Sequence, residues 1–308
     1  MGNQLNQEQV DKNRLDRFRK AVPEGPDLTV NKSIVMFTSL SASDDLRRHY
    51  EARKMEAGDH AADFIKSLAD KLAGLTPAPA LAGLGALIIA IFIDSAFSVT
   101  KESTKDALRS VFTDEKALEV WDQIDECLKR CAMHLHDNDE LTGDLQRIED
   151  RLSLVLTKLK NSMVRDGHMS SSALKAWVNG AAFHIQMLIH LVRLGGIQTC
   201  NPVESLLSIY QRDLETLFTK HNELIRGKCY FAFLPFHSDL FGNYHFQKFI
   251  DEDLKGYIID INVNDSQYHE VYYDKRYGGQ KAEIQQYFMD VSQNLQELVE
   301  QTGSFNVQ

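Results

Sequence analysis

Cys127, Cys131 and His134 fall at i, i+4 and i+7, so a helix would set two thiols and an imidazole on one face, a spacing suited to zinc. The same spacing puts Cys131 on an apolar seam, where thiols pack as small hydrophobes, and no fourth ligand is in view. His136 belongs to a different side, and no metal is expected. His184 and His190 stand six apart on a strongly apolar stretch, hence on different faces, and read as core or boundary histidines. Gly83 and Gly85 open a G-x-G, but Ile88 takes the third glycine position and no strand precedes it, so the phosphate-binding reading fails. Nucleophilic catalysis needs a hydroxyl or thiol beside a base with an orienting third group, and no local signature announces one. The expectation is a non-enzyme with no catalytic residues, no cofactor and no metal.

Two other groups of residues have spacing suited to recognition. Gly74, Ala78, Ala82, Ala86 and Ala90 recur every four residues, and small residues so placed let a second helix approach closely. In a membrane that stripe is an assembly face, with Leu84, Leu87, Ile88 and Ile91 as its apolar company. In a water-soluble bundle it simply admits neighbouring helices. Tyr268, Tyr272, Tyr273 and Tyr277 are candidates for a partner-binding surface, since tyrosine offers rigid amphipathic contact area. The core of a small sheet would account for them as well.

The elements that must position these residues are mostly helical. A polar helix is expected from about Gln7 to Val22, ended by Pro23, Gly25 and Pro26, which leaves residues 1–26 as a polar, separable arm. From Ser43 the apolar residues Ala61, Phe64, Ile65, Leu68, Leu72 and Leu75 share a face, which predicts one long amphipathic helix. Leu72 to Ile93 then runs 22 residues without a charge. Unbroken, it would measure about 33 Å, against a bilayer core of about 30 Å. Pro77 and Pro79 oppose the unbroken version, so a hairpin is expected, hinged at Leu75 to Pro79, with its second helix restarting near Pro79.

Leu118, Trp121, Ile124, Leu128, Cys131 and Leu135, then Leu141, Leu145, Ile148, Leu152, Val155 and Leu159, follow coiled-coil spacing. An interruption is expected within Asp137 to Gly143, leaving open one helix or an antiparallel pair. Ser170 to Ser172 caps a buried helix ending at Gly195-Gly196, and Asn201-Pro202 starts another ending at Gly227. Residues 27–226 therefore read as the helical bundle. Beyond it, Arg226 to Asp290 holds 15 of the chain's 28 aromatic residues. Residues 227–308 read as an α+β unit in which Tyr257–Val263 and Tyr268–Tyr273 form a β-hairpin across residues 264–267. Cys229–Leu234 offers a third strand, and Ala282–Glu300 returns to helix. The fold class expected is mainly α, an elongated multi-helix bundle with an apolar hairpin and this small C-terminal unit.

Composition excludes some partners. With 34 Lys and Arg against 44 Asp and Glu, the net charge of -10 repels nucleic acid and anionic lipid. A polar start without the apolar core of a signal peptide points to the cytoplasm, with membrane association as an option. In the order of its parts, the apolar segment LAGLTPAPALAGLGALIIAIFI ahead of long amphipathic helices resembles α-helical pore-forming toxins and, more loosely, the rapunzel proteins of fish. The resemblance spans about Ser43 to Leu159 and is one of layout; it implies membrane activity and brings over no functional residue. The functional expectation is a helical bundle whose shielded apolar hairpin engages a membrane conditionally or assembles with further copies. The alternative is an intracellular scaffold, binding protein partners through the Leu118–Leu159 face and the aromatic unit.

Overall fold

Polar residues placed just ahead of apolar periodic runs set most helix starts. The side chains of Asn31, Ser103, Asp114, Asp137, Ser170 and Asn264 each accept a hydrogen bond from a first-turn amide, which supplies the partner that a helix N-terminus otherwise lacks. The computed structural model describes residues 7–58, 61–73, 78–97, 103–238, 242–259 and 263–305. Its helices are α1 (Gln7–Ala21), α2 (Lys32–Thr38), α3 (Ala42–Ala57), α4 (Ala61–Leu72), α5 (Leu84–Phe97), α6 (Thr104–Arg109), α7 (Glu115–Met133), α8 (Asn138–Arg165), α9 (Ser171–Arg193) and α10 (Asn201–Lys228). Strands β1 (Tyr230–Ser238), β2 (Gly242–Ile250) and β3 (Gly256–Ile259) follow, then α11 (Asp265–Tyr273), α12 (Gly279–Gln293) and α13 (Leu295–Glu300). The chain is mainly α with a small antiparallel sheet, as the periodicity implies. Among the described residues every strand lies beyond Gly227.

Helices α7 and α8 form an antiparallel pair. Lys116, at the start of α7, donates to Ser162 near the end of α8, while Arg130 and His134 at the other end of α7 meet Asp144 near the start of α8. The open choice between one helix and two is thus settled by the turn at His134–Asp137. The pair lies on α9, which is buried along nearly its whole length and forms the axis of the core. A Cβ at Gly180 would sit 2.6 Å from Leu156 and 2.7 Å from Val120, so glycine is what lets the three helices close together.

Three expectations need correction. The single long helix from Ser43 is divided, because α3 ends at Gly58, whose φ of +56° suits a helix stop. The β-hairpin is built from β1 and β2, in register from Tyr230↔Ile250 to Ser238↔Gly242, with β3 added along β2. Tyr268–Tyr273 is not a strand: Asn264 accepts from Ser266 N and starts α11 instead. The arm does not stand apart either. Phe18 of α1 packs edge-on against Phe249, Tyr257 and Tyr268 at 5.0–5.5 Å, and Phe18 and Val22 are both buried. Packing crosses the other boundary as well, since α13 lies on α9 and Phe305 meets Tyr50. One buried apolar cluster includes residues from Phe18 to Phe305.

Candidate functional site

Helix α5 has no polar side chain before Asp94, and each residue from Leu84 to Ala90 is buried. A helix apolar on all sides needs cover on all sides; α2, α3, α4, α7 and α9 supply it. Of the residues singled out in the sequence, Leu84, Leu87, Ile88, Ala82, Ala86 and Ala90 are buried, whereas Ile91 and Ala78 are half-buried. The fourfold stripe is not one helical face. Ala78 sits in an isolated antiparallel bridge with Gly303, and Ala82 ends a 3₁₀ turn at Pro79–Leu81; only Ala86 and Ala90 share α5. Gly74 and most of the expected hinge lie outside the described residues.

Each end of α5 is fixed by a buried polar group. At its C-terminal end, the Asp94 carboxylate accepts from His49 Nε2 at 2.8 Å, Arg53 Nε at 2.7 Å and the Thr104 amide at 2.6 Å. Burial alone would raise this carboxyl, but the hydrogen bonds from His49 and Thr104 outweigh it and hold the pKa at about 2. Before its N-terminal end, the buried Arg193 of α9 donates to Ala82 O, to Leu298 O on α13 and to His190 Nδ1. Among the described residues no carboxylate offsets the burial of that guanidinium, which lowers its pKa to about 10. Its acceptors are backbone carbonyls, so the cation ties the α9, α5 and α13 segments together. His190 is held neutral, its pKa driven to about 3 by burial and then by Arg193.

The tyrosines do not form a surface. Tyr268, Tyr272 and Tyr277 are buried and Tyr273 is half-buried. Tyr277 donates to Glu252 at 2.7 Å, and Arg276 stacks over Tyr272 and Tyr277. The aromatic density is therefore the core joining α1, the sheet and α11, with the phenols of Tyr272 and Tyr277 on Glu252 and that of Tyr273 on Phe218 O. The heptad seams are likewise spent within the chain: Leu118 is exposed and Val155 half-buried, while the other ten seam residues are buried. Cys127 and Cys131 are buried, and burial raises the Cys127 thiol well above its ordinary range. His134 turns to Asp144 instead, and among the described residues no cluster suited to a metal ion is found. His184 bonds Tyr210 at 2.6 Å and Glu149 at 2.7 Å, a satisfied core histidine.

One arrangement escaped the sequence reading. Ser171 Oγ lies 2.9 Å from His221 Nε2, and His221 Nδ1 lies 3.0 Å from the Tyr273 hydroxyl, which donates to Phe218 O. Since Tyr273 has given its proton to a carbonyl, Nδ1 carries the hydrogen and Nε2 accepts from Ser171. The order is that of nucleophile, base and orienter. However, burial and then Lys228 depress the His221 pKa to about 4, far from the value a general base needs near neutrality. The relay's evident work is to fasten the first turn of α9 to α10 and α11.

The fold and these anchors define a class: a mainly helical bundle that encloses an apolar helix and ties both its ends. Compared with protein-family profiles, curated proteins and solved structures, the chain finds no match. Among the described residues no helix is long and apolar enough to cross a membrane.

Proposed function

We propose that this is a non-enzymatic bundle protein that keeps α5 masked and presents it to a lipid surface when the anchors release. The observation carrying this reading is α5 itself, a helix without a polar face, enclosed by amphipathic helices and tied at its ends by Asp94 and Arg193. Its 14 residues measure about 21 Å, less than the roughly 30 Å of a bilayer core. The engaged form is therefore interfacial or re-entrant, and several copies would be needed to perturb a bilayer. Net charge directs it to zwitterionic rather than anionic lipid. The scaffold reading is weaker, because the seam and the tyrosines it would use are consumed inside the chain.

Flotation with phosphatidylcholine vesicles tests it. Asp94→Asn should bind several-fold more than the parent, whereas Tyr272→Ala, destabilised away from α5, should not. Equal flotation of both variants would mark generic stickiness of a loosened chain and end the proposal.

A further inference from the structure

A cavity of about 360 Å³ lies where α2, α9, α12 and α13 meet. Its walls are apolar at Val35, Val291 and Leu298, and its polar groups are unevenly satisfied. Gln186 of α9 is 2% exposed and lines the cavity, yet its Oε1 has no hydrogen-bond partner. A buried amide oxygen left open is costly, and such groups in folded chains usually meet protein, water or ligand.

A neighbouring bond sets which way that amide points. Tyr287 accepts from Gln186 Nε2 at 3.2 Å. Burial pushes the Tyr287 pKa up to about 12, so the phenol is uncharged at neutral pH. The bond uses the amide nitrogen of Gln186 and leaves the oxygen as an acceptor. A cavity of this size falls at the lower end of small-molecule sites, roughly 300–1,000 Å³, and a few convergent polar groups in an apolar wall are their usual make-up.

We propose that this cavity binds a neutral, mostly apolar small molecule whose hydroxyl or amide N–H donates to Gln186 Oε1. Asp290, at the exposed rim, is the only charged residue lining the cavity among the described residues, and it already accepts from Gln286 at 2.7 Å. An anionic group beside Gln186 would find no counter-ion, and the one carboxylate that could hold a cation is at the exposed rim rather than in the apolar wall. A carboxylate would also face an acceptor where it needs a donor. The inference goes beyond the proposed lipid engagement: among the described residues none of α5 lines the cavity, although Leu298, an acceptor of Arg193, does.

Geraniol and geranyl methyl ether make a matched pair of probes, alike in bulk and differing in the donor. Saturation-transfer NMR with the full chain should show geraniol bound roughly tenfold more tightly than the ether, about the worth of one neutral hydrogen bond. Gln186→Leu keeps the side-chain volume and removes the acceptor, so it should bind the two alike, with Gln186→Met as the substitute should the leucine variant not fold. Binding of neither probe by the parent would mean that water occupies the cavity and would overturn the assignment. So would equal affinity in the parent, or a preference for the alcohol that survives in the variant.

Discussion

Replacing Asp94 by asparagine keeps the shape of the side chain and abolishes its charge, which makes it a stand-in for the protonated acid. The folded carboxyl, near pKa 2, compares with about 3.9 in an unfolded chain, and that difference contributes about 2–3 kcal/mol at neutral pH. Asparagine also turns an N–H₂ toward a site that receives donors from His49, Arg53 and Thr104, so one contact becomes donor against donor. A loss of about 2.5 kcal/mol at pH 7 is expected. With a urea slope of about 3 kcal/mol per molar, the midpoint should fall by roughly 0.8 M. The sign with pH follows from a depressed carboxyl: its stabilisation is complete above the unfolded pKa and is lost as pH falls through the folded one. The gap between parent and variant should therefore be the same at pH 7 and pH 5.5 and should narrow between about pH 4 and pH 2. A gap at pH 7 below about 0.5 kcal/mol, or one that stays constant into acid, would show that Asp94 does not anchor α5.

Ala86→Leu forces bulk into a position 1% exposed and should cost about 1–3 kcal/mol by overpacking, read as a lower Tm with or without lipid. Gly83→Ala meets two obstacles, a φ of +55° and a Cβ 2.8 Å from Arg193 Nη1. Its expected loss of about 1–2 kcal/mol in urea unfolding should be relieved only in part when Arg193→Lys is added, because the backbone strain remains. Tyr272→Ala empties a fully buried position and should lose about 3–5 kcal/mol, whereas a partner-binding tyrosine would leave urea unfolding unchanged.

What was legible in the sequence follows from the range over which each signal acts. Helices α7 to α10 are marked by apolar residues three and four apart and by capping residues within three positions, all local. The C-terminal unit was harder because Asn264-Asp265-Ser266 is the same signal for a hairpin loop and a helix N-cap, and YHEVYY alternates well enough to pass for a strand. Only the packing of Tyr268 and Tyr272 against α1 and β2 decides for helix. The break at Gly58 was missed because the apolar face continues in phase from α3 into α4. The Asp94 and His221 networks join residues 41–52 positions apart, and no spacing rule reaches that far. Charge-free composition, by contrast, marked α5 correctly as something that must be covered.

The bridge between Ala78 and Gly303, with the Arg193 contact to Leu298, fixes an order of events during synthesis. The apolar helix is complete at Phe97, but the segment that closes against its leading turn is made about 200 residues later. At about 5–20 residues per second on the ribosome, that interval is roughly 10–40 seconds. Throughout it the nascent chain displays a greasy stretch without its final clasp, so its earliest encounters are with chaperones and with any lipid close to the translating ribosome. A chain truncated just before Leu298 would lack both contacts and never leave that stage, and its yield should depend on chaperone supply far more than that of the whole protein.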